Sequence, residues 1–182
     1  MTLNYEIKSV SASHASDIAN IYNYYVSNSI ATFEEELVST AQIQQRINSV
    51  IKGKLPWLVI MQADPVTGKE YVLGYAYASQ WKERAAYRFS VEVSIYLAAN
   101  QEAKGLGTKL YSTLFTALKS ADIHAIIAGI SLPNQASIAL HEKFGFEKSA
   151  HFSQVGFKFN QWIDVGYWQV RRDKLTLDAA TC

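Results

Sequence analysis

The segment 87–118 constrains the fold most, because two different periodicities meet within it at a pair of glycines. Apolar and polar residues alternate over 87–97, which is the pattern of a strand with one buried face. Leucines then recur at every fourth position, which predicts a helix that begins at the glycine pair; they are Leu106, Leu110, Leu114 and Leu118. The chain must therefore contain a strand, a short loop and a helix in direct succession.

The loop 100–109 between this strand and this helix has the features of an anion cradle. A helix start offers free backbone N–H groups and the positive end of the helix dipole, and both favour a phosphate. Gly105 and Gly107 let the backbone approach a pyrophosphate closely, while Lys104 and Lys109 add positive charge. A glycine-containing helix entry that binds nothing explains the loop equally well. The third glycine of a dinucleotide fingerprint and the Gly-Lys-Ser/Thr ending of a P-loop are both missing.

The other periodicities predict a mixed sheet of the α+β class. We expect further helices over 15–27, from Ser39 or Thr40 to about 51, and over 134–144. We expect further strands over 5–10, 57–62, 71–79, 124–130, 146–159 and 162–170, with antiparallel hairpins across the turns DPVTGKE and FNQW. No linker, repeat or low-complexity tract divides the chain, so a single domain over 1–182 is predicted.

Charge and cysteine usage argue against several classes of function. A formal net charge of +1 gives no field that draws in nucleic acid or anionic membranes, so we expect a small-molecule partner and neither of these. Cys182 is the only cysteine, which leaves no intrachain disulfide and favours the cytoplasm. The N-terminal segment lacks the apolar core of a signal peptide. The four histidines have no metal-site spacing, so no metal is expected.

The strand, loop and long helix resemble the acetyl-CoA-binding motif of the GNAT superfamily of N-acetyltransferases. The run ISLPNQASIALHEKFGF resembles its second motif, in which an asparagine opens a helix that ends in Gly-Phe. Further segments narrow the resemblance to the phosphinothricin and methionine sulfoximine N-acetyltransferases; they are ATFEEE, PWLV, WKERAAYRFSVEVSIYL, LPNQAS and GFKFNQWIDVGYWQ. The resemblance implies a mostly antiparallel central sheet flanked by helices, with acetyl-CoA as acetyl donor and a small amino-acid-like amine as acceptor.

The resemblance also implies roles for individual residues. Glu92 falls on the catalytic glutamate of the family, and His141 stands where the wider superfamily often has a general-acid tyrosine. The coenzyme site falls on Ile95, Tyr96 and Leu97, whose backbone groups would pair with the pantetheine arm, and on Ala103, Lys104, Gly105, Leu106, Gly107, Thr108 and Asn134. The substrate site falls on Lys82, Glu83, Arg84, Val93 and Ser94, with Arg88 nearby. Glu102 departs from the usual glutamine or arginine and puts a negative charge near the phosphates.

From the residues alone, each of these assignments has a structural alternative. Glu92 fits a solvated position on a half-exposed strand, and His141 fits a structural helical histidine. The cations at 82, 84 and 88 fit a solvated loop. The aromatic residues of the C-terminal part fit core packing, whereas the resemblance implies a homodimer.

The expected mechanism is direct transfer in a ternary complex, because no residue is placed as an obvious acyl-carrying nucleophile. Glu92 would take a proton from the substrate ammonium through water, and His141 or a water would protonate the departing thiolate. Two alternatives stay open: a coenzyme-A-binding regulatory module with weak catalysis, and a peptide or protein N-terminal acetyltransferase. The amine also stays open among phosphinothricin, methionine sulfoximine, methionine sulfone and an ordinary metabolite.

Overall fold

The computed structural model describes residues 5–177, which form seven strands and four helices besides short 3-10 turns. The strands are β1 (Tyr5–Ser9), β2 (Trp57–Ala63), β3 (Glu70–Gln80), β4 (Ser90–Leu97), β5 (Ala125–Leu132), β6 (Glu147–Lys158) and β7 (Gln161–Arg171). The helices are α1 (Ala15–Asn28), α2 (Thr40–Lys52), α3 (Leu106–Lys119) and α4 (Gln135–Lys143). Cys182, on which the cytoplasmic expectation partly rests, lies outside the described residues.

All seven strands belong to one sheet in the order β1-β2-β3-β4-β5-β7-β6. Neighbouring strands run antiparallel except β4 and β5, which are parallel. A parallel pair needs a crossover connection, and α3 supplies it. The prediction of a mixed, mostly antiparallel α+β sheet flanked by helices is therefore confirmed. No helix between residues 5 and 177 is long and apolar enough to cross a membrane.

Local sequence signals account for most of the element boundaries. Ser39 caps α2, because its side chain accepts a hydrogen bond from the Gln42 N–H while Gln42 reaches back to the Ser39 N–H. The β6–β7 turn has positive φ at Phe159 and Asn160, as a two-residue hairpin of type I′ requires. Most boundaries differ from the prediction by one or two residues. The largest difference is at β4, which begins at Ser90 rather than at residue 87 because residues 85–87 form a 3-10 turn.

Helices cover both faces of the sheet. The predicted leucine stripe of α3 is buried at 0–1% exposure against apolar side chains of β2, β3 and β4. On the opposite face, α1 and α2 bury Ile18, Ile43 and Ile47 against alternate residues of β2 and β3. The period-two pattern of the strands thus supplies two separate cores, one on each face.

The parallel pair β4–β5 opens partway along its length. Residues are paired at Ser90↔Ala125, Val91↔Ile126 and Glu92↔Ile127, and pairing stops there although β4 continues to Leu97 and β5 to Leu132. The two strands therefore diverge beyond Glu92 and leave a gap between their carboxyl-terminal ends. This gap is the feature of the fold that positions the site.

Candidate active site

A cavity of about 680 Å³ follows the gap between β4 and β5. Its lining includes the loop before α3, the end of β4 and the start of α4. Among the residues predicted for the coenzyme, it brings together Ile95, Tyr96, Leu97, Ala103, Gly105, Leu106, Gly107, Thr108 and Asn134. Lys104 is the exception, since its ammonium group donates to the Gln101 side-chain oxygen at 3.0 Å on the loop surface. We call this space the coenzyme cavity.

Successive residues of β4 direct their backbone N–H and C=O groups alternately towards β3 and towards the gap on the β5 side. The Ala98 N–H donates to the Leu73 carbonyl at 2.8 Å, and the Ser90 carbonyl accepts from the Trp81 N–H at 3.2 Å. Even-numbered residues of β4 therefore pair with β3, and odd-numbered residues direct their N–H and C=O groups into the gap. Ile95 and Leu97 can thus pair with an extended ligand, although the Leu97 carbonyl already accepts from the Tyr25 hydroxyl at 2.8 Å.

The expectation that the Tyr96 backbone also pairs with the coenzyme does not agree with this register. Tyr96 lies opposite Tyr75, and its N–H and C=O groups point to β3. An extended ligand that pairs with β4 can bond to the backbone of every second residue only. Sequence similarity alone does not reveal which residues these are.

The glycine loop offers backbone groups rather than lysine side chains to an anion. Gly105 takes a left-handed conformation, with φ of 76°, immediately before α3. Lys109 turns away from the loop, since its ammonium donates to the Tyr5 hydroxyl and lies over the Tyr5 ring. Glu102 lines the coenzyme cavity, so the predicted negative charge is present at this end. A phosphate would therefore be held mainly by N–H groups at the helix start.

A second cavity, of about 470 Å³, opens on the face of the sheet that carries Glu92. We call it the amine pocket. Its floor consists of Glu92 on β4, Gly129 and Ser131 on β5, and Val165 and Tyr167 on β7. These residues share one face, because Gly129 pairs with Tyr167 and Ser131 with Val165. Its walls are largely apolar and include Ile30, Ala31, Phe33, Phe152 and Val155.

Glu92 is a partly buried carboxylate at the last paired position of β4. Burial raises its pKa above the ordinary value, while the charge of Lys82 and the Gly129 N–H act in the opposite direction. A carboxylate with a raised pKa is a stronger base than an exposed one. The geometry therefore suits Glu92 to accept a proton inside the amine pocket.

The predicted substrate residues before β4 do not line either cavity. Lys82, Glu83, Arg84 and Arg88 are exposed. The Arg88 guanidinium lies 4.2 Å from the centre of the Phe89 ring and donates to the Ala85 carbonyl at 3.1 Å. Val93 and Ser94 line the coenzyme cavity instead of the amine pocket. Among these residues, Lys82 has a positive charge that acts on Glu92 and lowers the pKa of its carboxylate.

His141 is buried at 3% exposure, and both of its ring nitrogens have partners. Nδ1 lies 2.7 Å from the Ser137 carbonyl oxygen, which can only accept, so Nδ1 carries the hydrogen. Nε2 lies 3.0 Å from the Tyr111 hydroxyl oxygen and accepts a hydrogen bond from that O–H group. Burial lowers the pKa of His141 to about 4. The imidazole is therefore neutral at neutral pH, which favours a structural role for His141.

The segment 30–33, which lines the amine pocket, is held by a residue with no role predicted from the sequence. Lys158 on β6 is 2% exposed, and its ammonium donates to the carbonyls of Ser29 and Thr32, at 2.8 Å each. These carbonyls flank Ile30 and Ala31, which line both cavities. Lys158 and Thr32 are 126 residues apart, so no local pattern signals the contact.

The chain is similar to known acetyltransferases over most of its length. Residues 7–166 match the acetyltransferase (GNAT) domain family. A phosphinothricin N-acetyltransferase of Streptomyces viridochromogenes is 32% identical over 90% of this chain and 86% of its own length. An L-methionine sulfoximine/L-methionine sulfone acetyltransferase of Pseudomonas paraeruginosa is 36% identical over 86% of this chain and 88% of its own length.

Solved structures agree with the fold. A phosphinothricin acetyltransferase from Sinorhizobium meliloti in complex with acetyl-CoA has a TM-score of 0.85 and 35% identity, covering 92% of this chain and 88% of that protein. A ribosomal-protein-alanine N-acetyltransferase from Brucella melitensis has a TM-score of 0.84 and 32% identity, covering 91% of this chain and 99% of that protein.

We expect acetyl-CoA to stabilise the folded chain and Gly107→Glu to abolish that effect. Gly107 is buried at the start of α3, and a glutamate there would put bulk and negative charge into the coenzyme cavity. A hundredfold excess over Kd should raise Tm by about 5–10 °C in the unaltered protein. Ala117→Glu adds the same charge on an exposed position of α3 and should keep the shift. An equal shift in Gly107→Glu would contradict the assignment of this cavity.

We expect His141 to make folding stability pH-dependent below about pH 6.5. Its pKa falls from 6.5 to about 4 on folding, so the unfolded chain binds more protons than the folded chain between these two values. The free energy of unfolding therefore decreases as the pH is lowered through this interval. The contribution is about 3 kcal/mol. Denaturant melts of wild type and His141→Gln should therefore differ most near neutral pH and converge towards pH 4. A gap independent of pH would mean that His141 titrates normally in the fold.

Proposed function

Because the chain belongs to the GNAT acetyltransferase family, we propose that it acetylates the amino group of a small amino-acid-like molecule of the phosphinothricin, methionine sulfoximine and methionine sulfone class. The chain is an acetyl-CoA-dependent N-acetyltransferase, as its family match and its acetyl-CoA-bound structural neighbour show. The substrate class is supported by the names of relatives 32% and 36% identical to it.

The observation that carries the proposal is the placement of Glu92 on the floor of a largely apolar pocket that meets the coenzyme cavity. A pocket of about 470 Å³ suits an amino acid better than a folded protein surface. Its aliphatic and aromatic walls suit the methylene chain of such a substrate, and its carboxylate suits the ammonium group.

We propose that Glu92 acts as the general base, through a water molecule if the ammonium does not reach it directly. Acetyl-CoA supplies the acetyl group as an activated thioester. Backbone N–H groups of β4 that face the gap, such as that of Ile95, are suited to stabilise negative charge on the carbonyl oxygen. His141 holds α4 against α3 through Tyr111, and water protonates the thiolate.

The cations before β4 remain proposed partners of the anionic end of the substrate. Lys82 lies near enough to Glu92 for its charge to lower the pKa of that carboxylate, although the loop before β4 lines neither cavity. Arg84 and Arg88 are exposed there, with guanidinium groups suited to a carboxylate or phosphinate. A substrate that projects from the pocket towards them would meet this charge.

A panel of amines tests the proposal, with release of free coenzyme A thiol as the readout. Phosphinothricin, methionine sulfoximine, methionine sulfone and methionine represent the small-substrate class. A peptide that begins with alanine represents the second candidate, which the likeness to the ribosomal-protein-alanine N-acetyltransferase supports. We expect the highest kcat/KM with a member of the first group. Faster acetylation of the peptide would replace the proposal with N-terminal acetylation.

We also propose that the protein is a homodimer that covers an aromatic surface on the β6–β7 hairpin. Phe157, Phe159 and Trp162 are 48%, 51% and 62% exposed there. Exposed aromatic clusters of this kind are typical of interfaces. The mass measured by light scattering at micromolar concentration should be that of two chains, and Trp162→Glu should halve it. A monomeric wild type would contradict the proposal.

We expect Glu92→Gln to lower kcat about 10²- to 10⁴-fold without weakening acetyl-CoA binding. Glutamine keeps the shape of the side chain but accepts no proton. Because burial raises the pKa of Glu92, the kcat/KM profile of wild type should show an acidic limb above the range of an ordinary glutamate, with activity lost as pH falls. The variant should lack this limb.

The matched control is Glu102→Gln, which removes a second carboxylate that lines the coenzyme cavity and not the amine pocket. This control should keep the acidic limb. Superimposable profiles of wild type and Glu92→Gln would show that Glu92 is not the base and that positioning alone supplies the rate.

A further inference from the structure

The amine pocket and the coenzyme cavity share four lining residues, which are Ile30, Ala31, Gly129 and Ser131. An amine held in the first cavity and an acetyl donor held in the second must meet at this junction. Ile30 and Ala31 have aliphatic side chains and Gly129 has none. Ser131 is therefore the one member of the four with a polar side chain.

The Ser131 hydroxyl is buried and has no hydrogen-bond partner among residues 5–177. Polar groups removed from water cost stability unless they are paired, so most buried ones have a partner. The Trp57 indole N–H is the other such group in this part of the chain, and it lies in an aromatic stack with Tyr75 and Tyr77. Ser131 differs because it lies where ligands meet, so its missing partner can come from a ligand.

The strand register places Ser131 on the same face as Glu92. Gly129 faces the Glu92 carboxylate, since a Cβ added to Gly129 would lie 3.1 Å from Glu92 Oε1. Ser131 follows two residues later on β5, about 6.6 Å along the strand and on the same side. Of the floor side chains that carry oxygen atoms, Glu92 and Tyr167 line the amine pocket alone, whereas Ser131 also lines the coenzyme cavity.

We propose that Ser131 Oγ accepts a hydrogen bond from the substrate amino group and holds its nitrogen at the junction while Glu92 removes a proton. This inference rests on the proposed transfer to an amine. An ammonium group brings three N–H donors into a pocket whose walls are mainly apolar, so it needs oxygen acceptors on the floor. After one proton has passed to Glu92, a bond from a remaining N–H to Ser131 directs the nitrogen lone pair towards the thioester carbon.

The test compares Ser131→Ala with wild type, using whichever amine wild type acetylates fastest. Losing one neutral hydrogen bond to the substrate should lower kcat/KM for the amine about tenfold at every pH, without moving the acidic limb. The KM for acetyl-CoA should stay unchanged. The Tm of the ligand-free variant should equal or exceed that of wild type, because the substitution removes a buried hydroxyl that has no partner.

Two further variants complete the experiment. Ser131→Cys keeps nearly the same volume with a much weaker acceptor, so it should lose activity as Ser131→Ala does. Ser149→Ala removes an exposed hydroxyl outside both cavities and should change neither activity nor Tm.

Wild-type kcat/KM in Ser131→Ala would overturn the proposal. A fall in activity accompanied by a lower Tm would overturn it too, because the hydroxyl would then serve the fold itself. The substrate class is tested independently of Ser131, because it is contradicted if wild type prefers the alanine peptide. In that case the Ser131 variants are compared with wild type using the peptide as the amine.

Discussion

The separation of β4 from β5 beyond Glu92 is the constraint on which the rest of the site depends. Two adjacent strands normally satisfy each other's backbone groups, and these stop doing so at the Glu92↔Ile127 pair. The unpaired edge of β4 is thereby available to an extended ligand, and the loop before α3 lies at the far end of the same gap. Glu92 lies where the strands part, so one feature of the sheet positions both the proposed base and the proposed path of the coenzyme.

The segment 30–33 lines one side of both cavities, and its position depends on residues distant in the chain. The Lys158 ammonium is buried and has no carboxylate as a hydrogen-bond partner between residues 5 and 177. It donates to the carbonyls of Tyr25 and Ser29 at the end of α1 and to that of Thr32 beyond it. A cation at the carboxyl end of a helix is favoured by the helix dipole. The Phe33 ring lies so close to Gly156 that a Cβ there would be 2.3 Å from it. The β6–β7 hairpin therefore lines the pocket and also holds the segment 30–33 in place.

Periodicity in the sequence predicted the helices, the strands and the glycine loop because these depend on residues close in the chain. The α3 leucines and the Ser39 cap are examples. The site was predicted less completely, since its details depend on register and distant contacts. The direction of the Tyr96 backbone requires the β3–β4 register, and the partner of the His141 Nε2 atom is Tyr111, 30 residues away. Similarity placed Lys104 at the coenzyme, whereas its side chain binds Gln101.

The pKa values of three wholly or partly buried groups, Glu92, His141 and Tyr111, indicate which of them is suited to exchange a proton in the site. Burial raises the pKa of Glu92 and thus moves its titration towards neutrality, while burial lowers that of His141 to about 4 and keeps it neutral. Tyr111 is fully buried, and desolvation raises its pKa well above the ordinary value of a tyrosine. Of these three groups, Glu92 is the one suited to change protonation state during the reaction. In the mechanism we propose, the proton taken from the amine ends on Glu92, and the proton given to the thiolate comes from water by a separate route.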